Sequence, residues 1–214
     1  MSFLKKYSDG PRSQAPTASA AARLQKLALS IASDVIQRSD REHPADGVLR
    51  LELRKQVELS PAMKREISEA VFDYYRWRGW LDRKKPLESR LAHALELAER
   101  FRRNPFTLPE AVLRAKAVPE WVADEMNCRL EWLRSLQREP NVWLRARAGQ
   151  GRTLAKKLRD ARVTALPDAV LYRGRQDLFR TAEFKAGEFE LQDISSQMVG
   201  VICNPKPGER WWDA

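Results

Sequence analysis

Several cationic side chains recur at spacings that suit contact with a polyanion. Arg145 and Arg147 alternate along a segment with strand character around Val142-Trp143-Leu144, which sends both to one side of it. Arg152, Lys156 and Arg159 follow at helical spacing over a short helix expected at about Thr153 to Ala161, opposite Leu154, Leu158 and Ala161. Strand and helix together are expected to offer one continuous cationic face for phosphates. An ordinary solvated helix face is the alternative reading. A second cluster, Tyr74-Tyr75-Arg76-Trp77-Arg78-Gly79-Trp80, interleaves aromatic rings with guanidinium groups, as surfaces that stack bases often do. Helical spacing assigns Tyr74, Trp77 and Leu81 to a core and leaves Arg76 and Arg78 as candidate RNA contacts.

Catalytic constellations are missing. His43 and His93 have no neighbouring carboxylate or nucleophile pattern, and Cys128 and Cys203 stand far apart without a partner His or second Cys. There is no Gly-rich phosphate loop, no nucleophile elbow and no zinc-protease motif, so no catalytic residue is assigned. The segment Pro205 to Ala214 reads differently: a turn, a strand over Arg210 to Trp212, and Asp213 at the strand's carboxyl end. In doubly wound sheets a nucleotide-like cofactor binds at that position. A strand with both Trp211 and Trp212 needs cover on two faces, so the chain reads as a domain cut at its first strand.

The elements that position these residues change character near residue 138. Before it the apolar spacing is helical: Leu24, Leu27, Ala28, Ile31 and Val35; then Ile67, Ala70, Val71 and Tyr74 behind Ser60-Pro61; then Leu91, Leu95, Ala98 and Phe101. Thr107 and Glu110 have capping-box spacing, and Pro119 should open a helix carrying Val122, Met126, Leu130 and Leu133. Five or six such helices predict a bundle. After Glu139-Pro140, strands are expected at Val142 to Leu144, Ala169 to Tyr172 and Glu188 to Leu191, with a helix over about Ser196 to Cys203. Ser8 to Ala22 reads as a flexible tail.

Composition sets the class. The chain has 214 residues, 43% hydrophobic and 32% charged, a mixture that buries a core and argues against wholesale disorder. No run approaches the roughly 18 apolar residues of a membrane helix, and residues 1–11 lack the apolar stretch of a signal peptide, so no membrane association and a cytoplasmic location are expected. With 39 Lys and Arg against 29 Asp and Glu the net charge is +10. The excess is concentrated: residues 141–180 hold 10 basic and 3 acidic side chains, whereas 181–214 hold 3 and 6. A polyanion is the partner this implies.

Three segments give the chain a resemblance to the RsmB/NOP2/Sun (Fmu) family of S-adenosylmethionine-dependent RNA cytosine-5 methyltransferases. Phe184-Lys185-Ala186-Gly187-Glu188-Phe189-Glu190-Leu191-Gln192-Asp193-Ile194-Ser195-Ser196-Gln197 is similar to that family's F-x-x-G-x-F-x-x-Q-D-x-S-S-Q segment. Pro207-Gly208-Glu209 through Asp213-Ala214 resembles the opening of its first methyltransferase motif. Pro140-Asn141-Val142-Trp143-Leu144-Arg145 resembles the start of its RNA-binding subdomain, with Arg147 and Ala148 where an Asn is usual. Pro44-Ala45-Asp46 through Leu81 looks like the helix pair of its NusB-like domain, with Lys64-Arg65 in place of a common Asp-Arg.

The resemblance implies a mainly α chain with a smaller α/β part: a flexible tail over 1–20, a NusB-like helical domain over 21–138, an α/β RNA-binding subdomain over 139–186, and the start of a Rossmann-like methyltransferase domain over 187–214. It implies S-adenosylmethionine as cofactor of a longer parent, with none bound to this portion. Asp193 would cap a helix, Ser195, Ser196 and Gln197 would flank the cofactor pocket, and Asp213 would sit at its edge. Neither cysteine fits a catalytic role, since the family's catalytic cysteines follow the first cofactor motif. RNA, ribosomal RNA first, is the implied partner, contacted by Arg76, Arg78, Arg145, Arg147, Arg152, Lys156 and Arg159. The competing reading is a non-enzymatic NusB-like RNA- or protein-binding adaptor, and a third is a protein scaffold without RNA affinity.

Overall fold

The computed structural model describes residues 18–212. These residues are mainly helical with one small antiparallel sheet, and the chain divides into two compact units, one ending at Arg138 and the other beginning at Glu139.

The first unit is all helix. Helix α1 (Ala18–Arg38) buries Ala28, Ile31, Ala32, Val35 and Ile36 along one face. Residues 1–17 of the expected tail lie outside the described residues, whereas Ala18 onward is helix, because an Ala-rich run has high helix propensity. Helix α2 (Ala45–Lys55) follows, then α3 (Pro61–Arg76), opened by the Ser60 hydroxyl accepting the Met63 N–H and by Pro61 at the first helical position. Helix α4 (Leu87–Arg103) contributes Leu91, Ala94, Ala98 and Phe101 to the same core. Its centre is aromatic: Trp77 is fully buried, with Trp80 and Phe101 edge-on at 5.0 and 5.5 Å.

Two helical expectations are corrected. Thr107 does not cap: it lies in a 3₁₀ turn, donating its hydroxyl to the Asn104 carbonyl, and α5 (Glu110–Lys116) starts after Pro109. Glu110 turns to Arg114 instead of its cap. The helix expected from Pro119 to Leu133 is broken into α6 (Val122–Glu125) and α7 (Leu130–Ser135). Between them Met126 is extended and the Cys128 carbonyl is held by the Arg114 guanidinium at 2.9 Å, a bond that takes it out of any helix ladder.

The second unit is built on strands β1 (Val142–Ala146), β2 (Ala161–Val163), β3 (Ala169–Tyr172) and β4 (Phe189–Leu191), in spatial order β2-β3-β1-β4 and antiparallel throughout. Helices α8 (Gly151–Lys157), α9 (Ala182–Lys185) and α10 (Ile194–Cys203) complete it. Leu144, Ala146, Val170, Tyr172 and Phe189 form the core with Leu154 and Leu158. Strand β4 pairs with β1, so the expected boundary between residues 186 and 187 falls inside this one unit. The strand expected over Arg210–Trp212 is not formed: no ladder partner is present among the described residues, and the Glu209 carboxylate instead gathers the Lys206 N–H and the Trp211 indole N–H into a turn. The two indoles are 58% and 89% exposed.

Candidate nucleic-acid interface

Strand β1 sorts its side chains by parity. Leu144 and Ala146 point into the core with Leu154 of α8 and Leu158 just past its end, so Trp143 and Arg145 point to the opposite face. Across that face Arg145 stands opposite Ala169 and Glu190, and Leu171 lies between Trp143 and Arg162 of β2. Arg145 and Arg162 are exposed, with Trp143 and Leu171 half-buried beside them. Arg162 escapes the sequence reading, which runs the preceding helix through Ala161; the alternation Ala161-Arg162-Val163 is the signal that would have found it.

The connection from β1 to α8 is fixed by one carboxylate. Asp168, at φ 60°, accepts the Gly149 N–H at 2.8 Å and the Gly151 N–H at 2.9 Å. Gly149 has φ 73°, a conformation that favours glycine, and a Cβ on Gly151 would lie 3.0 Å from the Asp168 Cα. This turn sets α8 with Arg152 and Lys156 exposed, one helical turn apart.

The single continuous cationic face expected from the sequence therefore splits in two. Arg152 and Lys156 sit on the helix side of the sheet and Arg145 on the other, because α8 packs on the Leu144 face. Arg159 lies past the helix end, which comes at Lys157 when Leu158 turns extended and Asp160 takes φ 59°. Arg147 is occupied: its Nε donates to the Gly187 carbonyl at 2.7 Å and its terminal nitrogen to that of Ala186 at 2.9 Å, tying the turn to the start of β4. Lys157 is paired with Glu188 at 2.7 Å. Arg145, Arg152, Lys156, Arg159 and Arg162 are exposed and make no ion pair among the described residues.

In the helical unit Arg76 and Arg78 part company. Arg76 is largely buried against the Asp73 carboxylate, itself 1% exposed and also bound by Arg102 at 3.0 Å. A buried anion would be orphaned if Arg76 turned outward, so its geometry fits a structural ion pair and not a surface contact. Arg78, on the 3₁₀ turn after α3, is exposed.

The residues expected near a cofactor gather at the start of α10. The Asp193 carboxylate caps the helix, accepting the Ser195 N–H at 3.0 Å and the Ser195 hydroxyl, and these bonds hold its pKa below the ordinary value. Gln197 is 8% exposed and donates to the Gln192 carbonyl at 2.8 Å, while Ser196 is exposed. Asp213 lies outside the described residues. Among the described residues no group of His, Cys, Asp or Glu could hold a metal ion, and no helix is long and apolar enough to cross a membrane.

No family model, curated protein or solved structure matches the chain.

Proposed function

We propose that the chain is the RNA-recognition portion of an S-adenosylmethionine-dependent RNA cytosine-5 methyltransferase, with ribosomal RNA the substrate class, and that by itself it binds RNA without catalysing transfer. The carrying observation is the group of exposed cations that make no ion pair among the described residues, Arg145, Arg152, Lys156, Arg159 and Arg162 among them, in a unit of fewer than eighty residues. Holding that many uncompensated charges on a small surface fits a role in attracting phosphates and releasing their counterions. On this reading the first unit is NusB-like and the second runs into a Rossmann-like cofactor domain. The exposed apolar side chains of α10, Val199 at 59% and Ile202 at 74%, support that part, as does the exposure of Trp211 and Trp212, since such surface favours cover.

Filter binding of single-stranded RNA over a salt series tests the reading. Affinity should fall steeply, by about 0.7 in log K per log salt for each phosphate contact. Reversing Arg145, Arg152 and Lys156 together to Glu should weaken binding by about 3 kcal/mol or less, at roughly 1 kcal/mol per exposed contact. A flat titration at low salt overturns the proposal. Binding retained by the triple variant would move the RNA contact to the helical unit and favour the adaptor.

A further inference from the structure

The helical unit holds a cleft of about 930 Å³ where the end of α1, the connection from α3 to α4 and the first turns of α4 meet. We infer that this cleft binds one nucleotide of a single RNA strand, the phosphate among its guanidinium groups and the base against Tyr75. The inference rests on the RNA reading above and gives the helical unit a share in it.

Charge is the first argument. Arg41, Arg78 and Arg83 line the cleft, are exposed, and make no ion pair among the described residues. Arg90 closes its wall: one terminal nitrogen donates to the Tyr74 hydroxyl at 2.8 Å, while its Nε is buried with no hydrogen-bond partner. An anion in the cleft would offset the mutual repulsion of these four guanidinium groups. Two carboxylates also line the space, but Asp40 is turned to its own loop, accepting the N–H groups of Glu42 and His43 at 2.8 and 2.7 Å. That leaves Glu88 as the lining carboxylate without a bond among the described residues, and the balance is positive.

The aromatic rings make the ligand a nucleotide and not a bare anion. Tyr74 is 5% exposed, set edge-on to Tyr75 at 5.4 Å and covered by the Arg90 guanidinium 5.8 Å from its centroid. Tyr75 is half-buried and lines the cleft, which puts an aromatic ring beside forked donors that match phosphate geometry. The volume is within the range that encloses small ligands.

The test uses the full chain and an eight-nucleotide single-stranded RNA carrying 4-thiouridine, irradiated and mapped by tryptic peptide. The crosslink is expected on Glu66–Arg76, the peptide that bears Tyr74 and Tyr75. Its yield should fall about tenfold in the double variant Arg78→Ala, Arg83→Ala, which removes exposed side chains and leaves the thermal melt in place. Tyr75→Ala should lose the crosslink and Tyr75→Phe keep it. An undiminished yield in the double variant overturns the inference. Crosslinks confined to residues 139–212, with salt-sensitive binding intact, overturn it and leave the RNA reading standing. Absence of any salt-sensitive binding overturns both. Displacement of the crosslink by an equimolar octaglutamate peptide overturns the nucleotide in favour of an acidic peptide.

Discussion

Gly79 shows how far a residue's role can sit from what its neighbours in the chain announce. It falls within an aromatic and arginine-rich run that reads as an RNA surface, yet a Cβ there would lie 2.1 Å from the Lys116 carbonyl oxygen, a backbone atom that cannot swing aside. Gly79→Ala should therefore destabilise the helical unit by about 2 kcal/mol, as overpacking does elsewhere. Gly47, in α2 with open space around its Cβ position, is the control: Gly47→Ala should stabilise by about 0.5–1 kcal/mol. Urea unfolding of the two variants checks both signs. The split between Arg76 and Arg78 has the same origin. Spacing exposes both equally, and only the buried Asp73 three residues upstream of Arg76 decides which becomes structural. Arg147 is captured by carbonyls 39 and 40 residues away, a pairing that no local pattern encodes. Arg147→Ala should thus lower the stability of the second unit by about 1–2 kcal/mol, whereas Arg152→Ala should leave it within about 0.5 kcal/mol. Thermal melts distinguish the two.

At the scale of elements, what the sequence reveals is what local physics decides. Ser60-Pro61 announces α3, and the apolar stripe of α4 is buried as its spacing requires. Ala169–Tyr172 is a strand at the expected residues because its β-branched and aromatic content is bounded by turn residues on both sides. Failures come where a distant partner intervenes, as when Arg114 holds the Cys128 carbonyl and breaks a helix whose apolar spacing was sound. The face covered by α8 was equally illegible: alternation separates the two sides of β1 but does not say which one the next helix will choose. The Asp193 cap is implied by the family resemblance, whereas the apolar pattern alone starts the helix near Ser196, two residues inside its observed beginning at Ile194. The Asp193 carboxyl titrates below its ordinary value of 3.8 because the Ser195 hydroxyl and N–H favour the charged form. The cap should therefore be fully present above the unfolded value and be lost as pH falls through the lowered one. Chemical shifts of Ser195 to Gly200 should report fraying of the first turn of α10 in that acidic window only. Asp193→Asn should abolish the pH dependence while keeping the cap at neutral pH, and Asp193→Ala should cost about 1 kcal/mol at neutral pH.

Across the whole molecule, charge and apolar exposure are segregated along the chain. The excess of cations over residues 141–180 precedes a segment that is net acidic and carries a run of exposed apolar side chains. In α10, Met198, Val199, Val201 and Ile202 are 43%, 59%, 53% and 74% exposed, while the residue it buries is Gln197. A helix apolar around most of its circumference is ordinarily enclosed on several sides, and this one holds to its own unit through the Gln197 bond to Gln192. Surface of that kind drives association between copies unless something covers it. The protein should therefore self-associate as its concentration rises, and the effect should survive or strengthen with salt, since added salt screens the repulsion of a +10 chain without weakening apolar contact. RNA binding should respond in the opposite direction. The double variant Val199→Ser, Ile202→Ser should suppress self-association in sedimentation velocity while leaving the urea midpoint and the salt dependence of RNA binding unchanged. Self-association that persists in this variant, or that disappears at high salt, would show that the cationic surfaces and not α10 bring copies together.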